Sequence, residues 1–291
     1  MPASGNIEIV RGIGDVRRRV AGWRAEGLSV GLVPTMGAIH DGHLALVRAA
    51  AAGSGRVVAS LFVNPKQFTP GEDYSAYPRD EARDARLIAD AGGDLLFAPS
   101  GEGVYPEAFS TAVTVQGLTE GLCGAFRPGH FEGVATVVAK LFNMVRPDAA
   151  WFGEKDFQQL QVIRRLARDL DLGVEVHGVP TVREPDGLAL SSRNVYLSAA
   201  ERAAAPTLNR ALLQLAERAA APDADIPGAI REAEQTIAGA GFETIDYVAV
   251  VDRETLRPAE APITEEARAL AAAWLGKARL IDNVPVVPEL Y

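Results

Sequence analysis

The chain has 291 residues, of which 48% are hydrophobic and 23% are charged, as is typical of globular proteins. The 29 lysines and arginines against 38 acidic residues give a net charge of −9, which argues against nucleic acid as the main partner. No apolar run reaches the roughly 18 residues that a membrane-spanning helix needs.

Cysteine content and the N-terminal segment both point to an intracellular protein. Cys123 is the single cysteine, so the chain can form neither an internal disulfide framework nor a site with several thiolate ligands. The first residues carry a charge at Glu8 and lack the apolar stretch of a secretory signal. We therefore expect a cytoplasmic location.

The first 180 residues alternate apolar β-rich runs with amphipathic stretches. The predicted strands are Val30–Pro34, Arg56–Val63, Asp94–Ala98, Ala149–Gly153 and Val174–Val179. The predicted helices are Asp41–Ala52, Arg79–Ala91, Gly133–Val145 and Phe157–Leu170. This alternation predicts parallel βαβ units in a doubly wound sheet, which binds its ligands beyond the carboxyl ends of the strands.

The pattern changes after about residue 181. Ser198 and Glu201 form a capping box that predicts one helix running to Ala220, and a second helix ends near Gly239–Gly241. Three β-like runs follow, and they predict a small antiparallel sheet: Ile245–Val251, Ala267–Leu275 and Ala278–Val284. The predicted fold class is therefore α/β, with residues 1–181 as a doubly wound domain and residues 182–291 as a smaller α+β domain.

Two histidines three residues apart follow the first predicted strand. His40 and His43 lie at the predicted start of a helix, where exposed backbone N–H groups favour an anion. Gly37 and Gly42 allow the backbone to approach a ligand closely. A metal pair is the alternative, but no third ligand is clustered with the two imidazoles. The segment predicts a phosphate site.

Three further segments carry polar side chains at predicted strand ends or loops. Gly153–Asp156 provides Lys155 as a point charge for a phosphate. Leu190–Asn194 combines two hydroxyls with the guanidinium of Arg193. Asn64–Phe68 places Gln67 where it could recognise a small polar substrate. Each of these segments, taken alone, is also compatible with an ordinary turn or loop.

Together these segments resemble the pantothenate synthetase (pantoate–β-alanine ligase) family. The resemblance rests on six motifs in the family's order: Pro34–Leu44, Phe62–Phe68, Tyr77–Arg79, Arg127–Val137, Phe152–Gln159 and Gly187–Asn194. The chain departs from the usual pattern in two places. Leu190 stands where methionine is usual, and Phe157 stands where tyrosine is more frequent.

The resemblance implies a Rossmann-like domain, a smaller domain that closes over ATP, Mg²⁺ on the ATP phosphates, and a homodimer. The implied reaction joins (R)-pantoate to β-alanine through a pantoyl-adenylate and releases AMP and pyrophosphate. The implied catalytic residues are His40, His43, Lys155 and Arg193. The implied ATP-binding residues are Met36, Gly37, Ala38, Ile39, His40, Asp41, Gly42, His43, Gly153, Glu154, Lys155, Asp156, Val182, Leu190, Ser191, Ser192 and Arg193. The implied substrate-binding residues are Gln67 for pantoate and β-alanine, Gln159 for pantoate, and Asn64, Tyr77 and His130.

Three other functions share part of this pattern. A class I aminoacyl-tRNA synthetase has related ATP motifs, but it needs a basic tRNA-binding surface. A different small nucleotidylyl transferase would lack the paired glutamines, Gln67 and Gln159. A non-catalytic nucleotide-binding module would leave both glutamines without a role.

Overall fold

The computed structural model describes residues 7–72 and 74–288, which form two compact units. Unit 1 comprises the described residues within Met1–Thr119, Arg127–Glu154 and Gln159–Pro180. Unit 2 comprises the described residues within Glu120–Phe126, Lys155–Gln158 and Thr181–Tyr291. The sequence-based division after residue 181 stays a prediction. In these described residues, no helix has the length and apolar character required to cross a membrane.

The strands and helices are numbered in chain order. The strands are β1 (Glu8–Val10), β2 (Val30–Thr35), β3 (Arg56–Leu61), β4 (Leu95–Phe97), β5 (Ala149–Gly153), β6 (Glu175–Val179), β7 (Thr244–Asp252), β8 (Ala267–Leu275) and β9 (Ala278–Val286). The helices are α1 (Ile13–Ala25), α2 (Asp41–Gly53), α3 (Glu81–Asp90), α4 (Gly101–Val104), α5 (Cys123–Phe126), α6 (His130–Val145), α7 (Phe157–Asp169), α8 (Ala199–Ala204), α9 (Thr207–Ala219) and α10 (Ile226–Gly239).

Unit 1 is built on a parallel sheet of six strands among the described residues, in the order β1-β4-β3-β2-β5-β6. The central strands β2 and β3 are buried along most of their length, as strands covered on both faces are. One core lies between the sheet and α2 with α3, where Val33, Val47, Ile88 and Leu96 are fully buried. The predicted Rossmann-like α/β fold is confirmed.

The parallel arrangement brings two of the predicted site segments to one edge of unit 1. Because β2 and β3 are neighbours that run in the same direction, the loops that follow them leave the sheet side by side. The loop after β2 carries the paired histidines, and the loop after β3 forms a short 3₁₀ helix over Pro65–Gln67.

Unit 2 contains an antiparallel sheet in the order β7-β8-β9. Alternate residues of these strands pack on α9 and α10 in one apolar core, which includes Ala269, Ala271, Leu280 and Val284. The opposite face of the sheet packs on Phe157 through Val251 and Leu270. The predicted α+β architecture, a small antiparallel sheet packed on helices in the C-terminal part of the chain, is also confirmed.

In two places the helices differ from the predictions by more than two residues. The segment after Ser198 forms two helices, α8 and α9, instead of one, so the prediction of a continuous helix is wrong. The break falls at Pro206, which lacks a backbone N–H and cannot continue the ladder of hydrogen bonds from α8. Helix α6 begins at His130 instead of Gly133, and Gly129 in the left-handed region (φ 81°) precedes it.

Candidate active site

The paired histidines lie on the first turn of α2. His40 is the N-cap residue, and its Nδ1 accepts a hydrogen bond from the backbone N–H of Gly42 at 3.2 Å. Nδ1 of His43 accepts the backbone N–H of His40 at 3.4 Å, and the two rings lie 4.1 Å apart between centroids. A nitrogen that accepts carries no proton, so each neutral ring holds its proton on Nε2. Both side chains are therefore arranged as Nε2–H donors at a helix N-terminus.

The loop before α2 has an unusual backbone. Gly37 and Ala38 both have left-handed conformations, with φ of 88° and 52°. A Cβ atom at Gly37 would lie 2.9 Å from Leu61 Cδ1 and 3.0 Å from Asp84 Oδ2, so glycine is required there by space as well as by φ. This backbone turns two successive N–H groups, those of Ala38 and Ile39, toward α3.

A buried carboxylate on α3 holds this loop. Oδ2 of Asp84 accepts the N–H of Ala38 at 2.9 Å, and Oδ1 accepts the N–H of Ile39 at 3.0 Å. Asp84 is 1% exposed. Burial raises the pKa of this carboxyl, while the hydrogen bonds from Ile39 and Ala38 and the charge of Arg83 oppose the increase. Sequence reasoning did not find Asp84, because no local signal links it to a loop 45 residues earlier.

The loop after β3 holds Gln67 through Asn64. Nδ2 of Asn64 donates to Oε1 of Gln67 at 3.0 Å and to the carbonyl of Gly133 at 3.0 Å. Oδ1 of Asn64 accepts from the hydroxyl of Tyr105 at 2.8 Å. Asn64 is fully buried, so these contacts fix its amide and through it the amide of Gln67.

The amide nitrogen of Gln67 contacts a sulfur atom, which is a weaker hydrogen-bonding partner than the Asn64 amide on its oxygen. Its Nε2 donates to Sδ of Met36 at 3.2 Å. A thioether is a weak acceptor, so replacing it by a substrate oxygen would strengthen the contact. Gln67 is thus oriented by one firm contact and can donate to a ligand.

A second group of residues holds the backbone of Gln67. His130 contacts the Gln67 carbonyl through Nδ1 at 2.7 Å and Nη1 of Arg127 through Nε2 at 3.0 Å. A carbonyl only accepts, so the Nδ1 of His130 carries the proton. Arg127 donates twice to Glu72, at 2.7 and 2.8 Å. His130, predicted to bind substrate, thus contacts Gln67 in this structure.

The Arg127–Glu72 pair is firmly ionised. Burial alone would raise the pKa of Glu72, but the hydrogen bonds and charge of Arg127 lower it from 4.5 to about 2. Both side chains are mostly buried, at 15% and 20% exposure. The pair therefore anchors the Gln67 loop at neutral pH.

Helix α6 approaches the same loop closely at Gly133. A Cβ atom on Gly133 would lie 2.2 Å from the carbonyl oxygen of Lys66 and 2.7 Å from the backbone nitrogen of Gln67. Only glycine permits this packing.

Tyr77, also predicted to contact substrate, is buried in unit 1. Its ring packs edge-on against that of Phe68, with 6.0 Å between the ring centroids.

The segment after β5 forms a 3₁₀ turn over Glu154–Asp156 that leads into α7. Glu154 belongs to unit 1, whereas Lys155 and Asp156 belong to unit 2. The Lys155 side chain is 20% exposed, and its Nζ lies 3.9 Å from Oδ2 of Asp156. Gln159, predicted to bind pantoate, is half-buried on the first turn of α7 and belongs to unit 1.

In unit 2 the segment Ser191–Arg193 begins a 3₁₀ helix. Oγ of Ser191 caps it by accepting the N–H of Arg193 at 3.3 Å. The N–H of Leu190 donates to the carbonyl of Val182 at 3.0 Å, and Arg183 pairs with Ala189 in an antiparallel bridge. The chain thus forms a small hairpin between Arg183 and Ala189. Two predicted ATP-binding residues, Val182 and Leu190, lie next to each other at its open end.

Comparison with known proteins identifies the family. The sequence model described as "Pantoate-beta-alanine ligase" matches residues 8–285. The chain belongs to the pantoate–β-alanine ligase family. The family match also confirms the prediction that this protein is a ligase.

Several members of this family are similar over almost their full length. Pantothenate synthetase from Rhodospirillum rubrum is 54% identical over 286 residues, which cover 96% of this chain and 99% of that protein. Pantothenate synthetase from Sphingopyxis alaskensis is 54% identical over 280 residues, covering 96% of this chain and 100% of that protein.

Two solved structures of the pantoate–β-alanine ligase family share the fold. The crystal structure of pantothenate synthetase from Thermus thermophilus has a TM-score of 0.89 and 51% identity, and covers 97% of this chain and 100% of that chain. The ligase from Francisella tularensis, crystallised with "Beta-gamma ATP" and β-alanine, has a TM-score of 0.77 and 30% identity, and covers 96% of this chain and 97% of that chain.

The residues of this ligase do not assemble a protein-made metal centre in the part of the chain that the structure describes. No group of three or more histidines, cysteines, aspartates and glutamates is positioned to hold an ion there. The alternative of a metal site at His40 and His43 is also disfavoured by their Nδ1 atoms, which accept backbone N–H groups. The donor set at this loop suits an anion instead.

Proposed function

We propose that this ligase activates (R)-pantoate with ATP and transfers the pantoyl group to β-alanine, giving pantothenate, AMP and pyrophosphate. The observation that carries the proposal is the pair of imidazoles on the first turn of α2, which both accept at Nδ1 and therefore donate at Nε2. Two such donors at a helix N-terminus suit the oxygens of a phosphate chain.

The reaction proceeds in two steps. A carboxylate oxygen of pantoate attacks the α-phosphorus of ATP, and the bond to the departing pyrophosphate breaks. The amine of β-alanine then attacks the carboxyl carbon of the adenylate, AMP leaves, and the amine loses a proton. The first step needs no protein nucleophile, so its catalysis consists of positioning the reactants and stabilising charge on the phosphates.

The proposed roles follow the chemistry of each side chain. The Nε2–H groups of His40 and His43 stabilise phosphate charge, and His43 can pass a proton. Lys155 supplies a point charge, and Arg193 supplies a bidentate guanidinium. The proposed ATP contacts in unit 1 are Met36, Gly37, Ala38, Ile39, His40, Asp41, Gly42, His43, Gly153 and Glu154; those in unit 2 are Lys155, Asp156, Val182, Leu190, Ser191, Ser192 and Arg193.

Gln67 is the proposed main contact of pantoate, with Gln159 as the second. Nε2 of Gln67 exchanges its weak sulfur partner, Met36, for a pantoate oxygen. Asn64 and His130 are also proposed to bind substrate, and both hold Gln67 in this site by direct hydrogen bonds. Tyr77 is proposed to line the same pocket.

Mg²⁺ is proposed to arrive with ATP. The described residues provide no ready cluster of ligands for it, so phosphate oxygens and water would supply most of its coordination. When bound, the ion neutralises part of the triphosphate charge. A homodimer is a further proposal, which rests on the family resemblance. A cytoplasmic location is also proposed, and it rests on the single cysteine of the chain.

The reaction is tested by exchange of labelled pyrophosphate into ATP. We expect exchange that requires pantoate and does not require β-alanine, together with pantothenate formation when β-alanine is added. Exchange that requires an amino acid would indicate a synthetase-like activity instead. Nucleotide binding without any exchange would indicate a binding module and contradict the proposal.

Replacing Gln67 with alanine is expected to weaken the binding of pantoate far more than that of ATP. The change leaves a buried polar group of the substrate unpaired, which costs roughly 1–3 kcal/mol. Calorimetric titration of each ligand separately measures the two effects. The exposed Gln116, changed to alanine, is the matched control in unit 1. Equal losses for ATP and pantoate would remove the assignment.

A further inference from the structure

The face of the unit 2 sheet that lies opposite α9 and α10 carries buried polar side chains. Asn283 on β9 and Arg268 on β8 are 2% and 6% exposed. Nε of Arg268 donates to Oδ1 of Asn283 at 2.8 Å, and its guanidinium lies 4.4 Å from the ring centre of Phe157. The Arg268 contact fixes which way the Asn283 amide points, so its nitrogen faces away from Arg268.

That nitrogen contacts the backbone of the proposed phosphate ligand Lys155. Nδ2 of Asn283 donates to the carbonyl oxygen of Lys155 at 2.9 Å. Lys155 belongs to unit 2 together with the first two residues of α7, so the contact lies within one compact unit. Asn283 therefore holds the main chain from which the Lys155 side chain extends.

The main chain of Asn283 also holds the hairpin that leads to Ser191. Nη2 of Arg183 donates to the Asn283 carbonyl at 3.2 Å. The same guanidinium makes two hydrogen bonds to Asp282, at 2.6 and 2.9 Å, and a third to the carbonyl of Gly187 at 3.1 Å. Asp282 is 4% exposed and the Arg183 side chain is 24% exposed, so this is a bidentate ion pair that is buried on the carboxylate side.

The Arg183 hairpin continues directly into the second proposed phosphate segment. Its two strands pair at Arg183 and Ala189. The N–H of the next residue, Leu190, donates a hydrogen bond to the carbonyl of Val182. Nδ2 of Asn194 donates a hydrogen bond to the carbonyl of Ala189 at 3.0 Å. This bond closes the turn that carries Ser191–Arg193. One dipeptide of β9, Asp282–Asn283, thus contacts both segments.

Stability alone does not explain this arrangement. Buried ion pairs and amides are often replaceable by apolar side chains at no cost in stability. Hydrogen bonds, in contrast, have directions, so the paired side chains of Arg268, Asn283 and Arg183 hold their backbone partners in one arrangement. A site for a triphosphate requires its cations to be held to within a fraction of an ångström.

We propose that Asn283 is a positioning residue for ATP: it fixes the main chain of Lys155 relative to the hairpin that carries Ser191–Arg193. The proposal rests on the proposed function, in which Lys155 and Ser191–Arg193 bind the phosphates. Asn283 itself touches no substrate and acts through the Lys155 carbonyl.

The test uses Asn283→Asp in the full-length enzyme. Aspartate keeps an acceptor for Arg268 but removes the donor and places a carboxylate oxygen against the Lys155 carbonyl. Val284→Ala is the matched control, since Val284 is the next residue of β9 and lies in the apolar core with α9. Thermal unfolding and pantoate-dependent pyrophosphate exchange are measured for both variants and the parent.

We expect Asn283→Asp to raise the KM for ATP about tenfold, as the loss of one oriented contact does, with the KM for pantoate within about twofold of the parent. Val284→Ala should unfold at a lower temperature than the parent and keep a parental KM for ATP. If Asn283→Asp fails to fold, Asn283→Ala should show the same selective rise.

Two results would overturn the role of Asn283. One is a parental KM for ATP in a folded Asn283 variant; the other is an equal rise for ATP and pantoate, which a general loss of structure would cause. A parent enzyme without pantoate-dependent exchange would instead overturn the proposed function and this role with it.

Discussion

Replacing His43 with alanine is expected to slow formation of pantoyl-adenylate by roughly 10²–10³-fold, the usual effect of removing one charge-stabilising donor from an active site. The variant loses an Nε2–H donor at the start of α2. It also loses the acceptor for the N–H of His40, which places His40 as well. The helix itself should persist, because Nδ1 of His40 still accepts the N–H of Gly42.

Single-turnover measurement of the adenylate, with enzyme in excess over ATP, isolates this step from product release. His177→Ala is the matched control, since His177 lies on β6 and stacks on Trp151, with 4.8 Å between ring centroids. We expect the control to retain the parental rate. A His43→Ala rate within about threefold of the parent would exclude His43 from charge stabilisation.

The histidine loop was predictable because its signals are local. Gly37, His40 and the apolar pattern after Asp41 predict a strand end, a close backbone approach and a helix start, and α2 begins at Asp41. Periodicity also predicted five of the six strands found in the parallel sheet of the described residues, since central strands buried on both faces read as apolar runs. The three-residue strand β1 was not predicted. Their order in the sheet is a property of the whole fold, and no local pattern carries it.

The residues that hold the site were not predictable in this way. Asn64 and His130 stay predicted substrate contacts, and the structure adds that each forms a hydrogen bond with Gln67. Asn64 does so from three residues before Gln67, whereas His130 lies 63 residues after it. Asp84 and Asn283 have no sequence signature, because an aspartate on a helix or an asparagine on a strand is usually solvated or at a turn. Their role depends on which backbone group tertiary packing brings against them.

Asp84 is the residue whose removal should disturb the histidine loop most. Asp84→Ala leaves the N–H groups of Ala38 and Ile39 without their buried acceptor, and each unsatisfied group costs roughly 1–3 kcal/mol of stability. The left-handed backbone at Gly37 and Ala38 then loses the contact that holds it. We expect adenylate formation to fall by roughly 10²-fold, because displacing a catalytic group by about 1 Å has an effect of that size.

Two further variants separate this effect from general destabilisation. Asp80→Ala removes the N-cap of the same helix, whose Oδ1 accepts the N–H of Arg83 at 3.0 Å. It should cost about 1 kcal/mol and leave both acceptor oxygens of Asp84 in place. Asp84→Asn keeps one acceptor but turns an amide N–H toward the second donor, so its rate should lie between those of the parent and Asp84→Ala. Rates and unfolding free energies are measured together for all three variants. If Asp84 positions the histidine loop, the rate of adenylate formation follows the number of acceptor oxygens left at residue 84. If Asp80→Ala slows adenylate formation as much as Asp84→Ala does at equal loss of stability, Asp84 contributes only to the stability of α3.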